Sequence, residues 1–130
     1  MTRLDLPDVD SYVIAMKLAG DPGAVKWIES RSGARGEFEW DSGNRTKLRK
    51  HGLEQADVEA IFQHPIVFSG RIVEPVHAEP RWLMLGVNRA GRKLALVFTR
   101  RGELIRPISC RSMRRNERAM YEEAVHEEKA

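Results

Sequence analysis

A small α+β domain, with helices packed on a mostly antiparallel sheet, is the fold class this sequence predicts. Three observations predict it. Two helix-like stretches that end before Pro65 lead into four strand-like segments, 66–74, 81–88, 93–99 and 104–110. The turn-like joints "NRAG" and "RRGE" link the last three of these, as in an antiparallel meander. A charged stretch suited to a closing helix follows.

Taken in order, residues 8–19 and 22–31 read as two short helices, the second opened by "DPG" and carrying Val25 and Ile28. "RSGARGE", residues 31–37, is glycine-rich and charged and reads as a linker. The chain therefore divides into an N-terminal helical extension with its linker, 1–36, and a main domain, 37–130. "FEW" at 38–40 suits a short first strand. Asp41 or Ser42 is a natural N-cap for the basic helix that ends at Gly52, itself a C-cap. The next helix puts Ala56, Ile61 and Phe62 near one face and closes at Pro65. "LALVFT" is apolar throughout, as a strand inside a sheet would be. Pro107 cannot donate to a ladder, so the last strand is expected at the edge, or bulged there. With Ser112 as N-cap, a final helix is expected to reach about Glu127.

Composition narrows the function classes. At 130 residues, 42% hydrophobic and 32% charged, the chain suits one soluble globular domain. It has no apolar run near the roughly 18 to 20 residues of a membrane span, and "MTRLDLPDVDSYVIAMK" lacks the layout of a signal peptide. One cysteine, Cys110, allows no internal disulfide, so a cytoplasmic location is expected and Cys110 reads as a small buried residue. No Cys/His spacing resembles a zinc site, and neither a Gly-rich phosphate loop nor a G-x-S-x-G elbow is present. No metal and no cofactor are expected.

The charge distribution points to an anionic partner. The net charge is +3 and the pI about 9.3, but seven arginines against two acids lie between Arg100 and Arg118. Three basic groups are candidates. In "NRTKLRKHG", Lys47 shares a helical face with Lys50 by i,i+3 and with His51 by i,i+4 spacing. Arg81 and Trp82 are strand neighbours, so one faces the core and the other is free to meet phosphate; Trp82 suits the core, Arg81 the phosphate. Arg106 and Arg111 are five apart, so they share a face only if the strand ends or bulges near Pro107. Arg111, Arg114, Arg115 and Arg118 could line the start of the last helix, with Arg114–Glu117 and Arg118–Glu122 as ordinary surface pairs. His77, in a loop near Glu79, is a further acid–base candidate. The residues by themselves describe a small basic α+β domain suited to RNA or to an acidic protein segment.

"FEWDSGNRTKLRKHG", "RWLMLG" and "IRPISCRSMRRNERAMY" fall in order within residues 38–121, and together they resemble the BrnT family of toxins. The first is similar to that family's F-x-W-D opening, basic helix and closing K-H-G. "LEQADVEAIF" stands where its second helix does, and "RWLMLG" looks like its R-(aromatic)-x-x-x-G strand. "IRPISCRSMRRNERAMY" resembles its I-R-x-I-(S/T)-A-R-x-M-x-x-x-E-x-x-x-Y ending, with Pro107 and Cys110 in place of an aliphatic residue and alanine. The resemblance implies a RelE-like fold and a metal-independent ribonuclease toxin of a type II toxin–antitoxin pair. It also implies a small BrnA-like DNA-binding antitoxin that caps the toxin and carries the complex to operator DNA; a homodimer is a further possibility. Carried onto this chain, its motif positions are Lys50, His51, Arg81, Trp82, Arg106 and Arg111, with Glu117 and Tyr121 structural. On this reading Arg81 and Arg111 clamp the phosphate, Lys50 and His51 move protons, and Trp82, Arg106, Arg114 and Lys47 contact RNA. The rival reading is a catalytically degenerate domain that binds RNA or the antitoxin without turnover.

Overall fold

The structure, a computed structural model, describes residues 13–15, 22–30, 37–73 and 78–129. The expected linker at 31–36 and the candidate His77 lie outside these residues. Nine elements follow in order: β1 (Val13–Ala15), α1 (Pro22–Glu29), α2 (Ser42–Arg49), α3 (Gln55–Ile61), β2 (Ile66–Arg71), β3 (Trp82–Val87), β4 (Lys93–Arg101), β5 (Leu104–Ser112) and α4 (Arg115–Lys129). The strands form one sheet in the order β1-β2-β3-β4-β5, antiparallel from β2 to β5, with β1 parallel to β2. The α+β class is thus as expected. One expectation is corrected: within the helix read at 8–19, residues 13–15 form a strand, pairing with Ile66, Val67 and Phe68. The rest of that helix lies outside the described residues. No described helix is long and apolar enough to cross a membrane.

Alternation along the strands builds two cores. Ile66, Phe68, Met84, Leu94, Leu96 and Phe98 point to one face, where Ile28 of α1, Leu48 of α2 and Val58 and Ile61 of α3 cover them. Val67, Leu85 and Ala95 point to the other, under Met113 and Tyr121. The Tyr121 hydroxyl donates to the carbonyl of Pro65 at 3.1 Å and ties α4 to the start of β2. Ile28 is fully buried, so α1 belongs to the same core as the sheet.

The "FEW" segment is a single parallel bridge rather than a full strand. Phe38 sits beside Ile105, whose N–H donates to Glu37 O and whose carbonyl accepts from Glu39 N–H. Phe38 packs edge-on against Phe62, and the indole N–H of Trp40 donates to Glu59 at 2.9 Å. Asp41 caps α2 in a reciprocal box with Asn44, and Gly52 (φ 71°) ends it in the left-handed conformation that glycine adopts without penalty. β5 is the sheet edge, as Pro107 requires. Its outward groups at Ile105 bond to 37–39, so the N–H that proline lacks belongs to the outer side and costs the β4–β5 ladder nothing. The bulge expected there is also present: Val97 pairs with Ser109 and Phe98 with Pro107, leaving Ile108 as the extra residue.

Gly86 of β3 explains the glycine that closes "RWLMLG". A Cβ there would lie 2.6 Å from Cγ2 of fully buried Ile61, so α3 rests on bare backbone. Gly86→Ala is expected to lower stability by about 1–3 kcal/mol, read as a fall in the urea midpoint. An unchanged midpoint would mean that α3 shifts freely on the sheet.

Candidate functional site

A cleft of about 230 Å³ opens where β3 begins and β4 ends, between the first turns of α2 and the sheet; Asn44, Lys47, Glu79, Arg81, Arg101 and Arg106 line it. Strand pairing explains the convergence. Thr99 and Arg101 share one face of β4, Thr99 pairs with Arg106 of β5, and Arg81 precedes Trp82, the partner of Phe98. Thr99 further ties the entry to β3 in place, its hydroxyl donating to Pro80 O at 2.6 Å.

Carboxylates hold two of these cations. Arg101 donates to both oxygens of Glu79, at 3.0 and 2.9 Å, and reaches Glu39 at 3.3 Å. That fork keeps the Glu79 carboxyl below its usual range and raises the guanidinium in turn. Arg106, with 17% of its side chain exposed, bonds to Glu39 at 3.1 Å and Asp41 at 2.9 Å. Asp41 is held ionised first by the N–H of Asn44 and then by Arg106. Lys47 and Arg81 have no ion pair among the described residues, and the Arg81 Nε is buried with no acceptor among them. A buried cationic donor without an acceptor is uncommon and calls for an explanation.

The remaining basic candidates form a second group at the other end of β5. Arg111 grips Glu117 through two bonds of 2.7 and 3.0 Å and donates to Ser112 O at 3.1 Å. Glu117, nearly buried, also accepts the backbone N–H of Arg114 at 2.7 Å, the N3-to-N-cap half of a capping box. This corrects two expectations. The last helix starts at Arg115 rather than from Ser112, and the side-chain partner of Glu117 is Arg111, with Arg114 contributing its backbone. The Arg118 guanidinium donates to the carbonyl of Met113. Ser112 stays in β5, where its hydroxyl accepts from Arg92, and Arg92 also donates to His51 O at 3.0 Å. Lys50 and His51 therefore sit at the far end of α2, with Arg92 and Ser112.

The bulge at Ile108 does bring Arg106 and Arg111 onto one face, opposite Thr99 and Ala95. Four residues of β4 still separate those rows, roughly 13 Å of strand, and the two guanidinia serve different carboxylates. So the cleft gathers Lys47, Arg81 and Arg106, while Lys50, His51, Arg111 and Arg114 lie outside it. Trp82 is on the opposite face, half-buried against Phe98, in keeping with its reading as a core residue. Sequence reading missed Arg101, Glu79 and Asn44 as cleft residues. The parity of Thr99 and Arg101 just before the "RRGE" turn was the available signal for Arg101; Glu79 and Asn44 come into place only through tertiary contacts. Cys110 is fully buried, and burial pushes its thiol up to about 12, which makes it unreactive. Among the described residues no three His, Cys, Asp or Glu side chains group as metal ligands.

The class of protein in hand is a small α+β domain whose cleft gathers guanidinium and ammonium groups with carboxylates set between them. Residues 40–117 match the family model described as "Ribonuclease toxin, BrnT, of type II toxin-antitoxin system", and that span is more than half of the chain. The chain belongs to the BrnT family: it is an endoribonuclease toxin whose partner is an antitoxin. No curated relative matches the chain.

The Arg111–Glu117 pair gives a stability test with a defined sign. Arg111 lowers the Glu117 pKa below its ordinary 4.5, so the pair stabilises the fold above that value and the contribution is lost as pH falls through the lowered one. Glu117→Gln is expected to cost about 2 kcal/mol at pH 7 and progressively less as the medium is acidified below pH 4.5. Urea unfolding of both proteins at several pH values would show it, and a pH-independent difference would rule the pairing out as its source.

Proposed function

We propose that the cleft at Arg81 is where this ribonuclease toxin holds the scissile phosphate. The observation that carries the reading is the buried Arg81 Nε without an acceptor among the described residues, beside the exposed ammonium of Lys47 in the same cleft. A phosphate supplies what that donor lacks. Arg101 and Arg106 are pinned by Glu79, Glu39 and Asp41, so their charge is offset and they act as a fixed wall, while Arg81 and Lys47 carry the positive charge left for a ligand.

In this reading the RNA 2′-hydroxyl attacks the adjacent phosphorus and the bond from phosphorus to the 5′-oxygen breaks, leaving a 2′,3′-cyclic phosphate and a 5′-hydroxyl. Arg81 stabilises the charge that develops on the non-bridging oxygens. Lys47 donates the proton that the leaving 5′-oxygen needs, and solvent takes the one released by the 2′-hydroxyl. No metal takes part. Lys50 and His51, with Arg111 and Arg114, grip flanking phosphates, which position the strand without reading its sequence. The antitoxin is a BrnA-like DNA-binding protein that covers the cationic surface and carries the complex to operator DNA, and the toxin acts in the cytoplasm.

Arg81→Gln is expected to reduce cleavage of a fluorogenic RNA oligonucleotide on the order of 100-fold with no change in thermal unfolding. Wild-type cleavage should persist in excess EDTA. Full activity in Arg81→Gln beside an inactive Arg111→Gln would move the site to the other end of β5.

A further inference from the structure

Along β3 and β4 the residues that enter the cleft alternate with others that do not. Arg81, Thr99 and Arg101 lie on one face of the sheet, and Trp82, Phe98 and Arg100 on the other. Behind the cleft, one sheet thickness away, α1 and the sheet enclose a second cavity of about 280 Å³, lined by Ala24, Trp27, Ile28, Trp82, Phe98 and Arg100. The rings of Trp82 and Phe98 lie 5.8 Å apart, tilted by 30°, and form one wall. Trp27 forms the other, with the Arg100 guanidinium 4.7 Å over its ring at the mouth.

The size and lining select a ligand class. Pockets for drug-sized molecules start near about 300 Å³, so this one suits a single ring system. Flat aromatic walls favour a flat, polarisable group. The half-exposed Arg100 guanidinium at the rim donates through Nε to Gly102 O at 2.9 Å and faces the exposed Glu103 at 3.5 Å, and its remaining N–H groups favour a group that arrives attached to an anion. A nucleobase, tethered to phosphate, meets all three conditions, and the phosphate cleft opens at the same end of the sheet.

We propose that the cavity is a base-binding subsite. The RNA strand rounds the end of the sheet, one nucleotide placing its base between Trp27 and Trp82 while Arg100 meets its phosphate. This rests on the reading of the cleft as the phosphate site. It gives α1 a function: Trp27 and Ala24 lie before the span matched by the family model, so the base preference of this toxin is set by a helix outside that span.

The test is binding of the full chain to an uncleavable 2′-O-methyl RNA oligonucleotide, followed by fluorescence anisotropy, with a single abasic nucleotide moved along it. In wild type, one abasic position should weaken binding about tenfold. That penalty should largely disappear in Ala24→Leu, which fills the cavity, and shrink in Arg100→Gln, which alters an exposed side chain. Should Ala24→Leu unfold by circular dichroism, Arg100→Gln decides alone. Abasic penalties that match wild type in the folded variants overturn the subsite; if Arg81→Gln meanwhile weakens binding, the phosphate site still stands. If Arg81→Gln binds as wild type while the abasic penalty is lost in the cavity variants, the subsite stands and the phosphate reading fails. No binding by wild type overturns both.

Discussion

Asn44 is the side chain on which the cleft end of the molecule depends. It accepts from the N–H of Asp41 at 2.9 Å and donates to the carbonyls of Glu39 and Pro107 at 3.0 Å each, while its own N–H donates to the Asp41 carboxylate. One buried amide thus starts α2, anchors the segment before it and fastens both to β5. A buried amide is stabilising only when its groups are satisfied, and here three partners satisfy it, two from the segment before α2 and one from β5. The consequence is electrostatic. Glu39 and Asp41 are carried by the segment that Asn44 holds, and these are the carboxylates that fix Arg106 beside the cleft.

A basic protein with many arginines must keep them from repelling one another, and the pattern of pairing shows how this one does so. Arg101 has Glu79, Arg106 has Glu39 and Asp41, and Arg111 has Glu117. Three of these four carboxylates are also placed by something else: Asp41 by a helix cap, Glu117 by the backbone of Arg114, Glu39 by its bridge to Ile105. The pairs therefore act as rigid parts, with less side-chain entropy at stake than exposed ion pairs carry. Against that background Arg81 and Lys47, which have no ion pair among the described residues, stand out, and they share one cleft.

Much of the fold was legible because local signals agreed with one another. Alternating apolar residues and turn-like joints placed the meander, Asp41 and Gly52 bounded α2, and Pro107 announced both an edge and a bulge. Residues 13–15 were misread as helix because three residues cannot show a period, and their strand exists only through pairing with β2. The start of α4 was misplaced for a related reason: Ser112 resembles a cap, but its hydroxyl is occupied by Arg92, which arrives from the turn before β4. For the candidate site, the sequence named several cationic residues and could not sort them into groups. Arg81, Arg106 and Arg111 look equivalent in one dimension. Which of them meet depends on strand register and on which carboxylate reaches each first, and both are long-range properties.

The unpaired residue Ile108 has an implication for how this chain can vary. By inserting one position into β5 it sets the parity of everything before it, so that Arg106 faces the cleft while Ile105 and Pro107 face the apolar layer. Losing that one residue would reverse the assignment and turn a guanidinium toward Phe98, a change no single side-chain replacement repairs. Lineages of this protein should therefore tolerate very few changes in the length of the edge strand.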